Sequence, residues 1–582
     1  MNIKKVSIKN YRNFEDFEIE FSEGFQTIIG ENNIGKSNLY WAIRMVLDGN
    51  LSYNSRKLEL KDFHGFKNEV TVEDHVIISI DLESDNLAAF PTFHAMKTSS
   101  TMARITYLFA HQSKFHADFE IPDDIELNQF KWHLLAGGNS LHLEALLTLN
   151  KIHFRDIDGI NLYYINAFRN INSDLHGNTK SLLRKYCESR DNADSELQSI
   201  KEILTESSDD LNALPFVPDV ADNIQKKGED IAGKYFSFPV AISFLSNFDS
   251  DAWNQLNLFY NSPNGGKISI QSLGLGQKNI LYLSLFIAEL ENSSNNHEIN
   301  ILLIEEPEAH LHPQLQKVLF ANLNQLTSTQ IFMTSHSTHI ASDCEFKNLN
   351  VLFYGNEDKV GSFSPFNNEV LLARESSLLK RYLDATRSEM FFSSAIIFVE
   401  GVGEQFIIPS IAEKVYDVNL TENNISVIPV HSRYFDPYLK LVQDNNFEIP
   451  VSVIIDEDEL EGEESETTSV ENARALSVED RVLVSAGTKT LETDLFSDKE
   501  TNASYLKTCF ENLGHTTSYN NLIAATGDWD KELIKRVDKT VKKGRFAQEL
   551  SALIDEDFVV PSYIEEAINH IKRLKNITPT DA

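Results

Sequence analysis

The stretch GFQTIIGENNIGKSNLYWAIRMVL, residues 24–47, constrains the fold more than any other part of the chain. Gly30, Gly35, Lys36 and Ser37 match the pattern GxxxxGK[ST], with an apolar run before it and apolar residues at helical spacing after it. In such a strand–loop–helix, backbone N–H groups and the helix N-terminus bind phosphate. The sequence therefore predicts an α/β domain in which Lys36 reaches the phosphates of ATP and Ser37 binds Mg²⁺.

A second apolar run, INILLI, leads into Glu305 and Glu306. A carboxylate at a strand end can hold the Mg²⁺ of a bound nucleotide, and the next can orient the attacking water. We assign these roles to Glu305 and Glu306 in that order. The following run, QIFMT, leads to His336, a candidate sensor of the γ-phosphate. The alternative for His336 is a capping or core histidine.

A turn rich in serine and glycine precedes the second apolar run. It contains Ser272, Gly274 and Gly276 and opens a helix with one apolar face. Its N–H groups would form a second anion site. Since one subunit rarely needs two such sites for one nucleotide, we expect this turn to close over ATP bound to a second copy. The sequence therefore predicts at least a dimer.

Composition limits the class of protein. A length of 582 residues suggests three or four domains. No apolar run approaches the ~20 residues of a membrane helix, and the three cysteines form no CxxC pair. We therefore expect a cytoplasmic protein without a membrane partner.

The net charge of −35 argues against a broad nucleic-acid-binding surface but not against a local one. The segment 531–545, with seven Lys or Arg in fifteen residues, is the candidate. The alternative is a solvated helix face.

A new pattern begins after about residue 388, where four apolar strands alternate with helical segments. This alternation predicts a parallel sheet, whose ligands bind at the carboxyl ends of the strands. Glu400 follows the first strand, Glu404 lies in the next helical turn, and Asp456 and Asp458 follow the third strand. Oxygen ligands without His or Cys favour Mg²⁺ or Mn²⁺, and crowded carboxylates need a cation between them.

The N-terminal motifs resemble the ABC-type ATPase heads of the SMC and RecF group. The opening IKNYRNF looks like that group's first strand, and Arg12 matches its arginine near the phosphates. The resemblance also assigns Asn32, Asn33 and Asn38 to the nucleotide and places Asp62 where a Q-loop would be. The polar, helix-like segment after about residue 175 would be a compact dimerisation insert.

The C-terminal carboxylates resemble those of a Toprim domain, with a glutamate after the first strand and DxD after the third. An ABC-type head followed by Toprim is the architecture of the OLD (overcoming lysogenisation defect) family, which includes the nuclease subunit of the Gabija anti-phage system. TKTLETDLF resembles the family's LExDL segment, so Glu492 is the first choice and Asp494 the second for completing the metal site. The family's catalytic lysine falls on Lys543 in KKGRFAQELS.

The resemblance sets the expected domain plan. An ATPase head would occupy residues 1–174 and 251–388, with the helical insert at 175–250 and the Toprim domain at 389–582. One departure concerns VHSRYF, where the family often has glycines after the second Toprim strand. His431 and Arg433 there would alter substrate contacts.

The resemblance implies an ATP-regulated, Mg²⁺- or Mn²⁺-dependent DNA endonuclease of anti-phage defence that hydrolyses phosphodiesters with two metal ions. Its partners would be double-stranded DNA, further copies of the chain through the ATPase domain, and a helicase-like protein. In this reading Lys543 stabilises the phosphate and the DNA contacts lie on the segment 531–545. Two alternatives remain open: a RecF-like repair ATPase that binds DNA without cutting, and an ATP-dependent defence scaffold.

Overall fold

The structure is a computed structural model of the full chain. It describes all residues except 117, 158, 167–181, 189–213, 235–238, 245–255, 262–265, 294–298, 326–328, 356–358, 365–370, 372, 458–466 and 578–582. The described chain divides into two compact units. The first comprises Met1–Arg12, Glu20–Ile28 and Ser37–Asp343, and the second comprises Asn13–Ile19, Ile29–Lys36 and Cys344–Ala582.

In the described residues of the first two-thirds of the chain, β-strands outnumber α-helices. The strands are β1 Asn2–Tyr11, β2 Phe14–Glu20, β3 Phe25–Gly30, β4 His75–Glu83, β5 Met102–His111, β6 Phe130–Ala136, β7 Lys151–Ile152, β8 Ile160–Ile165, β9 Val240–Phe244, β10 Leu256–Asn261, β11 Lys267–Ser269, β12 Ile299–Glu305, β13 Gln330–Thr334, β14 Leu349–Tyr354 and β15 Val360–Phe363. The helices are α1 Lys36–Leu47, α2 Leu143–Leu146, α3 Leu182–Glu188, α4 Phe216–Ala232, α5 Leu275–Ser293, α6 Pro313–Leu323, α7 Thr338–Asp343 and α8 Ala373–Tyr382.

In the first unit, β1, β4, β5, β6 and β7 pair in sequence as an antiparallel sheet. A second sheet is parallel, with β13 between β3 and β12, and with β8 beyond β12. Every residue of β12 and β13 is buried, as is usual for the strands of a parallel sheet. The predicted strands that lead to Gly30, Glu305 and His336 are therefore confirmed.

The helix after the phosphate loop carries its apolar residues on one face. Leu39, Ala42, Ile43, Val46 and Leu47 of α1 are all at most 1% exposed, which confirms the predicted face. Of the expected insert, the structure describes α3, α4 and β9, and much of the rest lies outside the described residues. Its dimerisation role stays a prediction.

The second unit contains the C-terminal α/β fold. Its remaining strands are β16 Ala395–Val399, β17 Ile425–Pro429, β18 Val451–Ile455 and β19 Val482–Ala486. Its remaining helices are α9 Val402–Lys414, α10 Asp436–Leu441, α11 Thr467–Ala475, α12 Leu491–Leu495, α13 Ala503–Asn512, α14 Thr516–Ala524, α15 Trp529–Arg536, α16 Lys543–Leu553 and α17 Ser562–Leu574.

These four strands form a parallel sheet in the order β17-β16-β18-β19, as the sequence predicts. The chain leaves β16 for β17 on one side and returns to β18 on the other, so the strand order reverses between β16 and β18. Ligands of open parallel sheets bind at such a reversal. One apolar core joins β16 to α9, α12, α13, α16 and α17 and fixes those helices around the sheet.

No helix among the described residues is both long and apolar enough to cross a membrane. The domain boundaries stay a prediction: the first unit ends at Asp343, and residues 344–388 group with the C-terminal fold.

Candidate functional sites

The phosphate loop is held in shape by contacts between its own ends. Lys36 is buried, and its Nζ donates to the carbonyl oxygens of Gly30 at 2.7 Å and Glu31 at 2.8 Å. Gly35 has φ +110°, and a Cβ there would collide with the Asn13 side chain. Asn13 in turn donates to Ile34 O at 2.6 Å. The backbone of this loop therefore requires glycine at position 35. The ammonium group of Lys36 lies folded back over the same loop.

The predicted nucleotide arginine lies beside the first turn of α1. Arg12 Nη1 donates to Asn38 Oδ1 at 2.8 Å, and Arg12 Nε pairs with the buried Asp62 at 2.9 Å. The structure thereby brings Arg12 and Asn38 together. Asp62, which the resemblance placed in a Q-loop, orients Arg12 in the described structure.

Two predicted glutamates lie at the end of β12: Glu305 is its last residue, and Glu306 follows it. Glu305 is buried, and α1 reaches this end because Tyr40 Oη lies 3.4 Å from Ile304 O. Glu306 has φ +43°, and its Oε1 lies 3.4 Å from His336 Nε2. The structure therefore brings together two residues with separate predicted roles, Glu306 and His336.

Glu308 is a residue that the sequence reasoning missed. It is buried, and its Oε1 accepts from Ser335 Oγ at 2.7 Å and from the backbone N of His336 at 2.9 Å. Burial raises the pKa of the Glu308 carboxyl. Glu308 therefore positions the loop that carries His336. The third glutamate of EEPE was the available signal.

The serine- and glycine-rich turn is fastened to the loop that follows Glu306. A Cβ at Gly276 would lie 2.8 Å from His310 O, and Asn279 Nδ2 donates to Pro307 O at 3.0 Å and Ala309 O at 3.2 Å. Ser272 Oγ donates to Ser269 O at 2.7 Å within its own turn. Gly274 immediately precedes α5. Its expected use by a second copy stays a prediction.

The C-terminal sheet brings the predicted carboxylates to one edge. Glu400 follows β16, and its Oε1 accepts from the backbone N of Asp456, which follows β18, at 2.8 Å. Asp456 Oδ2 in turn accepts from Leu491 N, the first residue of α12, at 2.9 Å. One chain of hydrogen bonds thus links two strand ends to the helix that carries Glu492.

The remaining acidic side chains come from the helices above this edge. Glu404 lies in the first turn of α9 and accepts from Gly401 N at 3.1 Å. Glu492 Oε2 is 3.2 Å from Lys543 Nζ at the start of α16. Glu404 and Glu492 are both buried, so bulk water solvates neither carboxylate well. Asp458 lies outside the described residues.

Burial and mutual repulsion shift the pKa values of this cluster. Burial, followed by the charges of Glu400 and Glu404, raises the pKa of Asp456 to about 8. Burial also raises the pKa of Glu400 and of Glu404. Burial lowers the pKa of Lys543, but its pairing with Glu492 more than offsets this and leaves that pKa raised. Crowding and burial therefore favour the protonated form of Asp456 most strongly, and that of Glu400 and Glu404 in the same direction.

Asp494, the second choice for a metal ligand, has another role in this structure. Its carboxylate accepts from Thr488 N at 3.1 Å, Thr488 Oγ1 at 3.0 Å and Lys489 N at 3.3 Å. It braces the turn after β19. A Cβ at Gly487 would lie 2.6 Å from Asp494 Oδ2, so this turn admits only glycine.

Tyr563 of α17 is a further neighbour that no motif indicated. It is 7% exposed, and its hydroxyl has no hydrogen-bond partner among the described residues. Its ring lies about 3 Å from a Cβ built at Gly487. Burial, then the charges of Asp456 and Asp494, raises the pKa of Tyr563. The phenol therefore stays protonated and remains a donor near the acidic cluster.

The donor set of this cluster fits a hard divalent cation, since it contains only carboxylate oxygens. Within the described residues, no three His, Cys, Asp or Glu side chains already stand in ligating geometry. Two of these carboxylates have cationic partners: Arg433 Nε lies 3.5 Å from Glu400 Oε2, and Lys543 Nζ lies 3.2 Å from Glu492 Oε2.

The basic segment 531–545 divides into paired and exposed cations. Arg536 and Lys535 both pair with Glu532, and Lys531 pairs with Asp528. Three exposed cations of the segment form no ion pair with any residue that the structure describes: Lys539, Lys542 and Arg545. Lys542 has φ +80° and separates a π-helical turn, Val537–Val541, from α16. Lys543 therefore points to the acidic cluster while its neighbours face solvent.

The sequence matches two protein-family models. The AAA ATPase domain model covers residues 1–341, and the overcoming lysogenization defect protein-like TOPRIM model covers residues 391–458. The fold and these matches define an ATPase domain joined to a TOPRIM domain. The chain belongs to the OLD family of nucleases, as the resemblance implied.

Two curated nucleases are similar to this chain over most of its length, and one solved structure is similar to its C-terminal third. "Endonuclease GajA" of Bacillus cereus (strain VD045) is 23% identical over 455 residues, which are 76% of this chain and 73% of that protein. "OLD nuclease" of Thermus scotoductus is 24% identical over 413 residues, 69% of this chain and 72% of that protein. The solved C-terminal region of the Burkholderia pseudomallei OLD protein is 27% identical and covers 32% of this chain and 99% of that chain, with a TM-score of 0.28.

Proposed function

We propose that this chain is an ATP-regulated DNA endonuclease that requires a divalent cation and acts in anti-phage defence. The observation that carries the proposal is the convergence of Glu400, Glu404, Asp456 and Glu492 at one sheet edge, with Lys543 on Glu492. A non-catalytic DNA clamp has no use for four crowded carboxylates, because their repulsion weakens the fold when no cation is bound. The names of the relatives support the same reaction class.

The residues divide into two sets for two cations. Glu400 and Asp456, with Asp458, would hold one, and Glu404 and Glu492 the other. Bound cations would supply activation of the attacking water and neutralisation of the leaving oxygen. Lys543, released from Glu492, would donate to the scissile phosphate as its negative charge grows. Lys539, Lys542 and Arg545 would hold the DNA backbone.

The ATPase domain would regulate this reaction. Lys36 and Arg12 would bind the phosphates of ATP, and Ser37 and Glu305 its Mg²⁺. Glu306 would orient the attacking water, and His336 would sense the γ-phosphate. The turn of Ser272, Gly274 and Gly276 would close over nucleotide in a second copy. Self-association through this domain, double-stranded DNA as substrate and a helicase-like partner belong to the proposal.

Cleavage assays test the nuclease. Purified protein is incubated with supercoiled, linear and nicked DNA, with Mg²⁺ or Mn²⁺, and with or without ATP. We expect metal-dependent cutting whose rate changes with ATP, and loss of cutting in Glu400→Ala. Glu413→Ala, an exposed glutamate of the same helix as Glu404, is the matched control. Absence of cutting under every condition would refute the proposal.

The defence role has a separate test. Cells that express the wild-type chain should form fewer phage plaques than cells that express Glu400→Ala or Lys36→Ala. Equal plaque counts with a cleavage-competent protein would remove the anti-phage part and leave the nuclease part standing.

A further inference from the structure

Tyr164 lies on the edge strand β8, beside the strand that ends at Glu305. β8 pairs in parallel with β12, and the register places Tyr164 opposite Leu303. Successive side chains of a strand point to opposite faces of the sheet, so Leu303 and Glu305 share one face. Tyr164 lies on that same face and is therefore a diagonal neighbour of Glu305.

The Tyr164 hydroxyl joins two charged side chains. It is a hydrogen-bond partner of the Glu305 carboxylate and of the Arg44 guanidinium. A guanidinium only donates and an ionised carboxylate only accepts. The phenol oxygen therefore accepts from Arg44, and its hydrogen is directed to Glu305. Since Glu305 is buried, this hydrogen bond to its carboxylate is shielded from competing water.

Arg44 of α1 also fixes the position of the Tyr164 ring. Its guanidinium carbon lies 4.0 Å from the centre of that ring, and Arg44 Nε pairs with Asp48 Oδ2 at 3.1 Å. Asp48 is buried. A planar guanidinium that stacks on an aromatic face stabilises both groups. The ring is thereby held between α1 and the sheet.

The same helix carries Ser37, the other residue proposed to hold the Mg²⁺ of ATP. Tyr40, one turn after Ser37, is buried, and its Oη lies 3.4 Å from Ile304 O. Ser37 and Glu305 thus belong to two elements that are in contact. A hydroxyl together with a carboxylate is a set of hard oxygen donors, which suits Mg²⁺.

We propose that Tyr164 is a positioning residue whose hydroxyl orients the Glu305 carboxylate for the Mg²⁺ of bound ATP. The two oxygens of a carboxylate offer about four lone pairs, so a hydrogen bond from the phenol and a bond to Mg²⁺ are compatible. Outer hydrogen bonds of this kind orient metal-binding carboxylates, and their loss weakens metal binding about 10- to 100-fold. This inference rests on the proposed function, in which Glu305 binds Mg²⁺.

The experiment measures how much Mg²⁺ strengthens nucleotide binding. The full-length chain is titrated by calorimetry with adenylyl imidodiphosphate, a slowly hydrolysed analogue of ATP, once in Mg²⁺ and once in EDTA. The dissociation constant in EDTA divided by that in Mg²⁺ gives the metal enhancement. Tyr164→Phe removes the hydroxyl and keeps the ring on which Arg44 stacks. We expect this variant to lower the enhancement by about 10-fold and to leave the dissociation constant in EDTA unchanged.

A double-mutant cycle and a matched control complete the design. In the background of Glu305→Gln, Tyr164→Phe should have no further effect, because the carboxylate that it orients is gone. Tyr163→Phe removes the neighbouring hydroxyl on the opposite face of β8, where the Tyr163 ring packs 5.6 Å from that of Phe286. This control should leave the metal enhancement unchanged.

The outcomes separate the inference from the proposed function. A lower enhancement in Tyr164→Phe that disappears in the Glu305→Gln background supports the inference. Equal weakening in Mg²⁺ and in EDTA overturns it, because a side chain that only supports the fold would act in this way. An unchanged enhancement also overturns it, as does an equal loss in the Glu305→Gln background. If Mg²⁺ does not strengthen binding to the wild type, the proposed role of Glu305 fails and the inference fails with it.

Discussion

The phosphate loop and the acidic cluster prepare for ligands of opposite charge. At the phosphate loop, Lys36 Nζ donates to two carbonyl oxygens of its own loop. At the C-terminal sheet edge, the carboxylates of Glu400 and Glu492 pair with Arg433 and Lys543. In both, partners from the chain lower the cost of burying a charge.

The two sites differ in how far apart their parts lie in the chain. The loop from Gly30 to Asn38 is one continuous segment, whereas the carboxylates come from three separate segments that only the sheet brings together. A local site is recognisable from spacing alone. When the strand order of a sheet assembles a site, the sequence shows the candidate residues but not which of them lie together.

The largest expected effect is that of replacing Lys543, the proposed catalytic lysine. Lys543→Ala should lower the cleavage rate about 10²- to 10³-fold, because a donor to the developing phosphate charge is lost. Single-turnover cleavage measures this. Lys539→Ala is the matched control: it should weaken DNA binding and reduce its salt dependence, with little change in the bound rate. Equal losses in both variants would show that Lys543 only binds DNA.

Lys36→Ala tests the phosphate loop without changing the acidic cluster. We expect ATP affinity to fall roughly 10- to 100-fold, the size of lost charge-assisted hydrogen bonds. Nucleotide titration measures the loss, and Mn²⁺ titration of the same variant should match the wild type. A parallel loss of Mn²⁺ binding would show that the two sites are not independently built.

The acidic cluster should make the metal-free protein less stable as the pH rises. Asp456 has a folded-state pKa of about 8 against an ordinary value of 3.8, so between these values the folded chain holds a proton that the unfolded chain has lost. Stability therefore falls across this window as the pH rises. The raised pKa values of Glu400 and Glu404 act in the same direction.

Thermal unfolding in a chelator, from about pH 5 to about pH 8, measures this slope. We expect the melting temperature to drop by a few degrees, Asp456→Asn to flatten the slope, and Mg²⁺ to stabilise most at the higher pH. A melting temperature that rises across this range in the wild type would contradict the crowding of the carboxylates.

The smallest expected effect is at Tyr563. Tyr563→Phe removes a buried hydroxyl that bonds to none of the residues the structure describes, so stability should change by less than about 1 kcal/mol. Denaturant unfolding checks this, with Tyr505→Phe as a control that loses a contact to Asp555. A large loss of stability would mean that the hydroxyl has a partner within the fold. A selective loss of cleavage would place it at the reaction.

The sequence predicted the strands, the strand ends and the family. It did not predict which cations cover the carboxylates, because Arg433, Lys543 and Glu400 are far apart in the chain. Nor did spacing decide between Glu492 and Asp494. Residues two apart on a helix face different directions, and only the fold shows that Asp494 braces Thr488 while Glu492 meets Lys543. The site positions themselves remain predictions until the variants above are measured.

The left-handed residue Lys542 has a consequence for how this region tolerates changes in length. Because a helix cannot continue through φ +80°, α16 takes its rotation from its own buried residues, Phe546, Ala547 and Leu550, and not from the helical turns before it. In a continuous helix, each inserted residue would turn Lys543 by ~100°. Here the break at Lys542 makes the rotation of α16 independent of the helical turns before it. Insertions or deletions upstream can therefore accumulate while Lys543 stays directed at Glu492.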